Sequence, residues 1–398
     1  MTAKVTCRRS DGKFQSATLI YTNICGVTLH KGIILVTGAT GFLGGAIAAR
    51  LLESPVWEHN LFLVRGSSVE TARERLIHHL HGFGIAESLL QQLGSEHILL
   101  GDLNNTAEWH NDPRLRSVTH VIHCAAMASF GRSDGIWATN VDGTIALANA
   151  LHGCTQLERF VYVGTAMVCG INAPKLVAED YVPENLPVDL VEYTVSKRAA
   201  EAALRRDFPQ LPLVIARPSI VVGHTRLGCA PSGSIFWVFR LALGLGVFPC
   251  EFDTQIDVVP VDYVADALLL LAQKPELAHD QYHITSGEAG ACSFREIDAA
   301  MATALGRPPR TDYQMLPYEK IALLQRDFEK RIGPCNRRVM LRAIETYGKF
   351  SALGLLFENR RLLAEGMPPP PRFDSYAGVC AVTSAGRTIA EQMQADFK

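Results

Sequence analysis

A glycine series directly after a short apolar run constrains the fold of this chain more than any other feature. The run Gly32 to Val36 predicts a strand buried on both faces, and the series at Thr37 to Gly44 has the spacing GxxGxxG. Gly38 and Gly41 let the backbone turn tightly and approach a pyrophosphate, while Gly44 lets the following helix pack close to the strand. The helix N-terminus offers free N–H groups to an anion. This position at the first strand-to-helix junction predicts a dinucleotide site and disfavours a purely structural glycine turn. The residues predicted to bind the cofactor here are Gly38, Thr40, Gly41, Phe42, Leu43 and Gly44.

The rest of the chain is organised around an alternation of short β-branched runs with helical stretches over residues 31–275. This alternation predicts an α/β fold with a doubly wound parallel sheet of the Rossmann type. After about Pro275 strand-like runs nearly vanish, so residues 276–398 are expected to form a smaller, mainly helical substrate-binding cap and a C-terminal segment. Residues 1–30 are expected to be a loose N-terminal leader. The predicted strands are Gly32–Val36, Leu61–Val64, His97–Leu100, Val118–His123, Phe160–Val163, Leu213–Ala216 and one near Ile256–Val259.

The composition of the 398-residue chain is that of a globular protein, with 48% apolar and 20% charged residues. Lys and Arg number 38 against 40 Asp and Glu, so the formal charge of −2 predicts no nucleic-acid partner. The most apolar stretch, Ile235 to Phe248, is interrupted by Arg240 and is shorter than the roughly 20 residues of a membrane span. We therefore expect no integral span. The cysteines occur singly and without zinc-like spacing, which predicts a reducing, cytoplasmic setting and no metal site.

The end of the second predicted strand indicates which dinucleotide is bound. Binders of NAD place a carboxylate there for the ribose 2′-hydroxyl, and binders of NADP place an arginine for the 2′-phosphate. Here the strand ends at Val64 and Arg65 follows it. Arg65 can bond a phosphate in a bidentate, charge-assisted way, and Arg75 on the following helix is a second candidate. The alternative for both is a solvated surface arginine. The sequence therefore favours NADPH.

A candidate catalytic pair, Tyr193 and Lys197, lies about 150 residues after the glycine turn. Tyr193 and Lys197 are four residues apart on a predicted helix, hence on one face, and a nearby ammonium is expected to lower the pKa of the phenol toward the working range. Thr165 follows the fifth strand, where its hydroxyl can hydrogen-bond a substrate oxygen in the crevice at the strand ends. Asn140, in a predicted helix over Ile136–Leu151, is expected to hold the lysine through backbone and water, or else to be a satisfied polar residue.

With these residues in place, the chain resembles the extended branch of the short-chain dehydrogenase/reductase superfamily over about Lys31 to Leu305. Several motifs occur in that family's order. They are TGATGFLG at 37–44, Gly101-Asp102-Leu103, His123-Cys124-Ala125-Ala126, NVDGT at 140–144, YTVSK at 193–197 and Arg217-Pro218-Ser219. The resemblance implies that Asp102 and Leu103 lie near the adenine, that Ala125 and Ala126 line the cofactor, and that Pro218 and Ser219 border the nicotinamide.

Within that branch, LVRG at 63–66, RPSIVVG at 217–223 and the Asp257 to Leu269 segment resemble the thioester reductase and fatty acyl-CoA reductase group. The resemblance implies NADPH-dependent reduction of an acyl thioester, carried on CoA or an acyl carrier protein, to an aldehyde and possibly onward to an alcohol. Two alternatives remain open at this point. One is a ketone or aldehyde reductase, or a nucleotide-sugar epimerase or dehydratase, of the same fold. The other is a non-catalytic NADP-binding regulatory protein. The Ile235–Phe239 stretch either lines an acyl channel or forms an ordinary buried helix.

Overall fold

The computed structural model describes residues 21–24, 27–29, 32–54, 57–128, 135–183 and 185–396. Its centre is a seven-stranded parallel sheet in the order β7-β6-β5-β4-β1-β2-β3, which confirms the predicted doubly wound arrangement. The strands, numbered along the chain, are β1 Ile34–Thr37, β2 Leu61–Val64, β3 Ile98–Leu100, β4 His120–His123, β5 Arg159–Val163, β6 Leu213–Pro218 and β7 Gln281–Ile284.

The edge strand β7 differs from the sequence-based expectation. It pairs in parallel with β6, with Tyr282 opposite Ala216, so the sheet continues past residue 275. The strand expected near Ile256–Val259 is not part of this sheet. Gln255–Ile256 pairs antiparallel with Cys292–Ser293, and Val258–Val259 pairs in parallel with Ile220–Val221. Asp257 separates these short pairs because its buried carboxylate accepts hydrogen bonds from backbone N–H groups of other segments.

Helices cover both faces of the sheet. One face carries helices α1 (Phe42–Leu52) and α6 (Val261–Gln273), and the other carries α3 (residues 135–150) and α4 (Glu192–Asp207), in line with the apolar side chains that each helix buries. Helix α3 spans residues 135–150 and contains a π-helical turn at Ala138–Asp142 between its helical parts Gly135–Trp137 and Gly143–Ala150. The other helices are α1 Phe42–Leu52, α2 Val69–His81, α4 Glu192–Asp207, α5 Phe236–Leu245, α6 Val261–Gln273, α7 Phe294–Ala304, α8 Arg337–Leu353, α9 Asp374–Ser384 and α10 Ile389–Asp396.

The C-terminal part is mainly helical, as expected. Shorter helices at Tyr318–Leu323, Phe328–Ile332 and Arg360–Ala364 accompany α7 to α10. Helix α5 lies in the centre of its apolar cluster, where Phe236 and Trp237 are fully buried. Of the two interpretations of the Ile235–Phe239 stretch, this burial supports a core helix.

The N-terminal residues that the structure describes form a short pair of strands. Tyr21–Ile24 and Val27–Leu29 pair antiparallel, so these residues form regular structure rather than a loose leader, and residues 1–20 lie outside the described residues. Within the described ranges, no helix has both the length and the apolar character needed to cross a bilayer.

Candidate functional site

The glycine turn folds as its spacing predicts. Gly41 N donates to Gly38 O over 2.8 Å, and Gly38 has a φ of 75°, a conformation that favours glycine. A Cβ at Gly38 would lie 2.8 Å from Ala125 N, and one at Gly44 would lie 2.2 Å from Gly38 O. Gly41 precedes α1 and has no side chain to cap its first N–H groups. This closely approached backbone at an uncapped helix N-terminus fits the pyrophosphate of a nicotinamide dinucleotide.

A hydrogen-bonded chain joins this turn to helix α3. Thr144 Oγ1 donates to Asn140 O over 2.7 Å, so it accepts from His123 Nε2 at 2.8 Å. Burial lowers the pKa of His123 to about 3, so the ring is neutral and its Nδ1 accepts from Thr37 Oγ1 at 2.6 Å. Thr37 Oγ1 in turn accepts from Ala125 N at 3.2 Å. His123 is therefore a hydrogen-bonded core group, as expected, and it fixes Ala125 beside Gly38.

At the tip of β2 the predicted coenzyme residues lie together. The exposed Arg65 lies beside Asp102, with its Nη1 3.4 Å from Asp102 Oδ2, and Arg75 Nη1 donates to Arg65 O over 3.4 Å. Burial and the nearby Arg65 guanidinium lower the pKa of Arg75. Leu103 is buried against Gly143 at the start of the last part of α3. Arg65, Arg75 and Asp102 are thus brought together at the tip of β2.

Asn140 lies in the π-helical turn of α3, a type of distortion that is common at functional sites. Its Oδ1 accepts from Met127 N at 2.7 Å, and its Nδ2 donates to Met127 O at 3.2 Å and to Ser196 Oγ at 2.9 Å. Ser196 Oγ then donates to Tyr193 O over 2.8 Å. Asn140 thus bonds the segment after β4 and helix α4, as the alternative of a satisfied polar residue expects, and its predicted hold on Lys197 through backbone and water stays a prediction.

Lys197 lies buried at the carboxyl end of β5. Its Nζ donates to Val163 O over 2.7 Å and lies 4.8 Å from the centre of the Tyr162 ring. Burial lowers the pKa of Lys197 to about 8, and the nearby Glu201 partly opposes that shift. Thr165, two residues beyond Val163, caps a short helical turn at Ala166–Cys169, and its Oγ1 accepts from Met167 N at 3.3 Å.

The pKa of Tyr193 differs in direction from the expectation. Burial raises the pKa of this phenol to about 12, whereas the four-residue spacing to Lys197 was expected to lower it. The physical reason is that the Lys197 ammonium is held by Val163 O and the face of the Tyr162 ring, so desolvation outweighs its charge. Tyr193 therefore carries a proton at neutral pH and is suited to donate a hydrogen bond.

The predicted residues at the end of β6 are placed by the sheet. Pro218 is the last residue of β6, opposite Ile284 of β7, and Ser219 N donates to Ile284 O over 3.1 Å. Since Thr37, His123, Val163 and Pro218 each end a parallel strand, the glycine turn, Lys197, Thr165 and this segment meet along one edge of the sheet.

Sequence analysis missed two charged pairs on helix α4. Arg198 bonds Asp189, and Arg217 of β6 bonds Glu201, with Arg217 Nη2 2.5 Å from Glu201 Oε2. The carboxylates of both pairs are 5% exposed. The available signal was Arg198 directly after Lys197 and Glu201 one turn further along the same predicted helix, a pattern that is ordinarily a solvated surface.

The sequence matches the male sterility protein family over residues 36–268, more than half of the chain. It is 25% identical to the probable fatty acyl-CoA reductase 5 of Arabidopsis thaliana, with 69% of this chain and 70% of that protein covered. It is 27% identical to the nonribosomal peptide synthetase asaC of Aspergillus flavus over 64% of this chain, but it spans only 26% of that synthetase. It spans 26% and 28% of two further fungal synthetases.

Two solved structures share the fold. The terminal R domain from the myxalamid PKS-NRPS biosynthetic pathway superposes with a TM-score of 0.71 at 22% identity, covering 89% of this chain and 91% of that domain. A thiolation-reductase di-domain from an archaeal non-ribosomal peptide synthetase gives 0.66 at 20% identity, covering 90% and 76%. The family match spans the glycine turn and the catalytic helix. The chain therefore belongs to the male sterility protein family and is a nicotinamide-dependent oxidoreductase.

Proposed function

We propose that the protein uses NADPH to reduce an acyl thioester, held on CoA or on a carrier protein, to an aldehyde. The observation that carries this proposal is the placement of Thr165, a protonated Tyr193 and the buried ammonium of Lys197 at the strand edge that also holds the glycine turn. One group of relatives is named as fatty acyl-CoA reductases, and one structural neighbour is a thiolation-reductase di-domain of a peptide synthetase. A thioester is the substrate class that these two kinds of protein share.

The coenzyme half of the proposal rests on charge. Arg65 directly follows β2, at the position where a binder of NAD places a carboxylate, and Arg75 lies beside it. Two guanidinium groups favour the additional 2′-phosphate of NADPH through charge-assisted hydrogen bonds. Asp102 is near enough to pair with Arg65, and this pairing keeps the guanidinium at the tip of β2. Gly38, Gly41 and the first turn of α1 would hold the pyrophosphate.

In the proposed reaction, Tyr193, Thr165 and Lys197 stabilise the negative charge that develops on the thioester carbonyl oxygen. When bound, the reduced nicotinamide supplies a hydride. Tyr193 and Thr165 donate hydrogen bonds to the carbonyl oxygen, where negative charge develops, and the Lys197 ammonium stabilises that charge in a buried setting. When the C=O bond re-forms, the C–S bond breaks and the thiolate takes a proton from water. One hydride and one proton are consumed, and one aldehyde and one thiol are released.

Thiol release is the experiment that tests the proposed function. Purified protein is given NADPH and a panel of acyl thioesters on CoA, on N-acetylcysteamine and on a carrier protein, while thiol, NADPH and aldehyde are followed together. We expect one thiol for each aldehyde, with NADPH preferred over NADH. Oxidation of NADPH by ketones without thiol release would identify a simple carbonyl reductase, and reversible isomerisation of a nucleotide sugar without net oxidation would identify an epimerase. Either result contradicts the proposal.

The pH dependence of turnover follows from the two catalytic pKa values. Lys197 must be charged, and burial lowers its pKa to about 8, so kcat/KM is expected to fall about tenfold per pH unit above that value. Tyr193, with a pKa of about 12, stays protonated over the same range. The profile is measured with an N-acetylcysteamine thioester. In Lys197→Arg the guanidinium remains charged and the alkaline limb should disappear from the residual activity; a flat wild-type profile to pH 9.5 would contradict the role of Lys197.

A further inference from the structure

We propose that Arg198, the residue after Lys197, is a positioning residue that fixes the Thr165 hydroxyl for the reaction through its pair with Asp189. This inference rests on the proposed function, because it assigns a role within that chemistry. Arg198 is 24% exposed and Asp189 is 5% exposed, so the pair is largely withdrawn from water. Truncating either partner would leave the other charge poorly solvated, which distinguishes this pair from a solvated surface contact.

The guanidinium of Arg198 bonds two different segments. Its Nη1 donates to Val168 O over 3.0 Å and to Asp189 Oδ1 over 3.2 Å, while its Nη2 donates to Asp189 Oδ2. Val168 belongs to the short turn that Thr165 caps, and Val168 N donates back to Thr165 O over 3.3 Å. The contact from Arg198 therefore anchors that turn to helix α4. Because Tyr193 lies on the same helix, the contact also sets the spacing between the two hydroxyl groups that face the carbonyl oxygen.

Asp189 holds the exit of the same turn. Gly170 follows the turn with a φ of 79°, and a Cβ there would lie 2.6 Å from Pro187 Cβ. Ile171 N donates to Val188 O over 2.9 Å. The stretch from Pro187 to Asp189 thus lies along the end of the turn, and Asp189 closes the arrangement by accepting from Arg198. One guanidinium fastens the catalytic helix, the Thr165 turn and the stretch that leads into the helix.

The chemistry of this arrangement requires arginine. Three oxygen atoms, two from the carboxylate and one from Val168, are bonded by one planar group whose donors have fixed directions. A lysine ammonium can satisfy the charge of Asp189, but it does not present the same fork to the carbonyl. Arg198→Lys therefore keeps the charge and releases the turn. Asp189→Asn keeps the shape and weakens the grip on the guanidinium.

A double-mutant cycle with Thr165→Ala tests this role. We expect Arg198→Lys to lower kcat about tenfold while KM for the thioester and the Kd for NADPH change less than twofold. In the Thr165→Ala background the same change should lower kcat less than twofold, since the hydroxyl that Arg198 positions is gone. Asp189→Asn is expected to follow the same pattern. The matched control is Arg205→Gln, on the same helix, whose exposed pair with Asp280 is 2.5 Å long and whose loss should leave kcat unchanged.

The outcomes separate this role from the proposed function. Equal effects of Arg198→Lys with and without Thr165 would overturn the positioning role, as would a change in KM alone. If Arg198→Lys loses its native circular dichroism spectrum, the cycle is read from Asp189→Asn. A wild-type enzyme that releases no thiol contradicts the proposed function and the positioning role with it, whereas an active wild type with additive variants contradicts only the positioning role.

Discussion

Tyr193→Phe should lower thioester turnover by about 10²- to 10⁴-fold while the Kd for NADPH stays within a factor of two. The substitution removes only the hydroxyl, so the ring keeps its position on α4. Burial raises the pKa of this phenol to about 12, so the native enzyme presents a protonated donor that a developing oxyanion can use. The loss should appear in single-turnover rates with an N-acetylcysteamine thioester, which separates chemistry from product release.

The matched control for this result is Tyr181→Phe. Tyr181 lies in the connection that precedes the same helix and is half-buried, with its ring against the apolar cluster around Phe357. We expect its turnover to remain within a factor of two of the wild type, because its hydroxyl has no part in the proposed chemistry. Unchanged single-turnover rates in Tyr193→Phe would remove the phenol from the mechanism, and a parallel loss of NADPH binding would show that the hydroxyl serves the coenzyme instead.

The glycine turn could be predicted because its residues are close in sequence. Gly38, Gly41 and Gly44 belong to one turn, and their spacing alone predicts where other groups can approach the backbone closely. Tyr193 and Lys197 share one helix in the same way. The remaining step was to bring distant motifs together, and a parallel sheet does this because strand ends meet at one edge. The individual motifs do not show which of them lie close together in space, and the parallel sheet provides that information.

Other features depend on burial and on contacts across many residues, which no local pattern shows. Strand β7 contains Gln281 and His283, so its sequence lacks the apolar run of a central strand. The fold buries His283 to 1% exposure and lowers its pKa to about 3. The predicted direction of the Tyr193 pKa shift was wrong for a similar reason. The spacing to Lys197 indicates a nearby charge, but it does not indicate how strongly the phenol is desolvated.

Asn140 and Arg198 also make contacts that no local sequence pattern predicts. Asn140 bonds Ser196 and Met127 because a π-helical turn rotates its side chain, and the sequence of α3 alone predicts a regular helix. Arg198 reaches Val168, thirty residues earlier, only after the strand order has placed the Thr165 turn beside α4. Residues that position catalytic groups are thus harder to predict than the groups themselves, because their function lies in tertiary contacts.

Gly44→Ala is expected to abolish measurable NADPH binding at coenzyme concentrations up to about 100-fold above the wild-type Kd, a loss of roughly 2.7 kcal/mol or more. A Cβ at residue 44 would lie 2.2 Å from Gly38 O and 2.5 Å from Gly38 C. Both are backbone atoms, so no side chain can move aside, and the turn must open away from α1. The N–H groups proposed to hold the pyrophosphate then lose their common direction. Isothermal titration calorimetry with NADPH measures the effect.

The control for Gly44→Ala must add the same methyl group where the backbone does not obstruct it. Gly233→Ala meets this condition, because its Cβ would lie 3.8 Å from Gln392 Cβ, an ordinary contact distance. We expect that variant to bind NADPH as the wild type does. Both variants are also unfolded thermally, since helix α1 packs on the core and Gly44→Ala should lower stability as well. If Gly44→Ala binds NADPH normally at a temperature where it is folded, the turn does not hold the coenzyme, and the whole assignment of this strand edge as the reactive site is wrong.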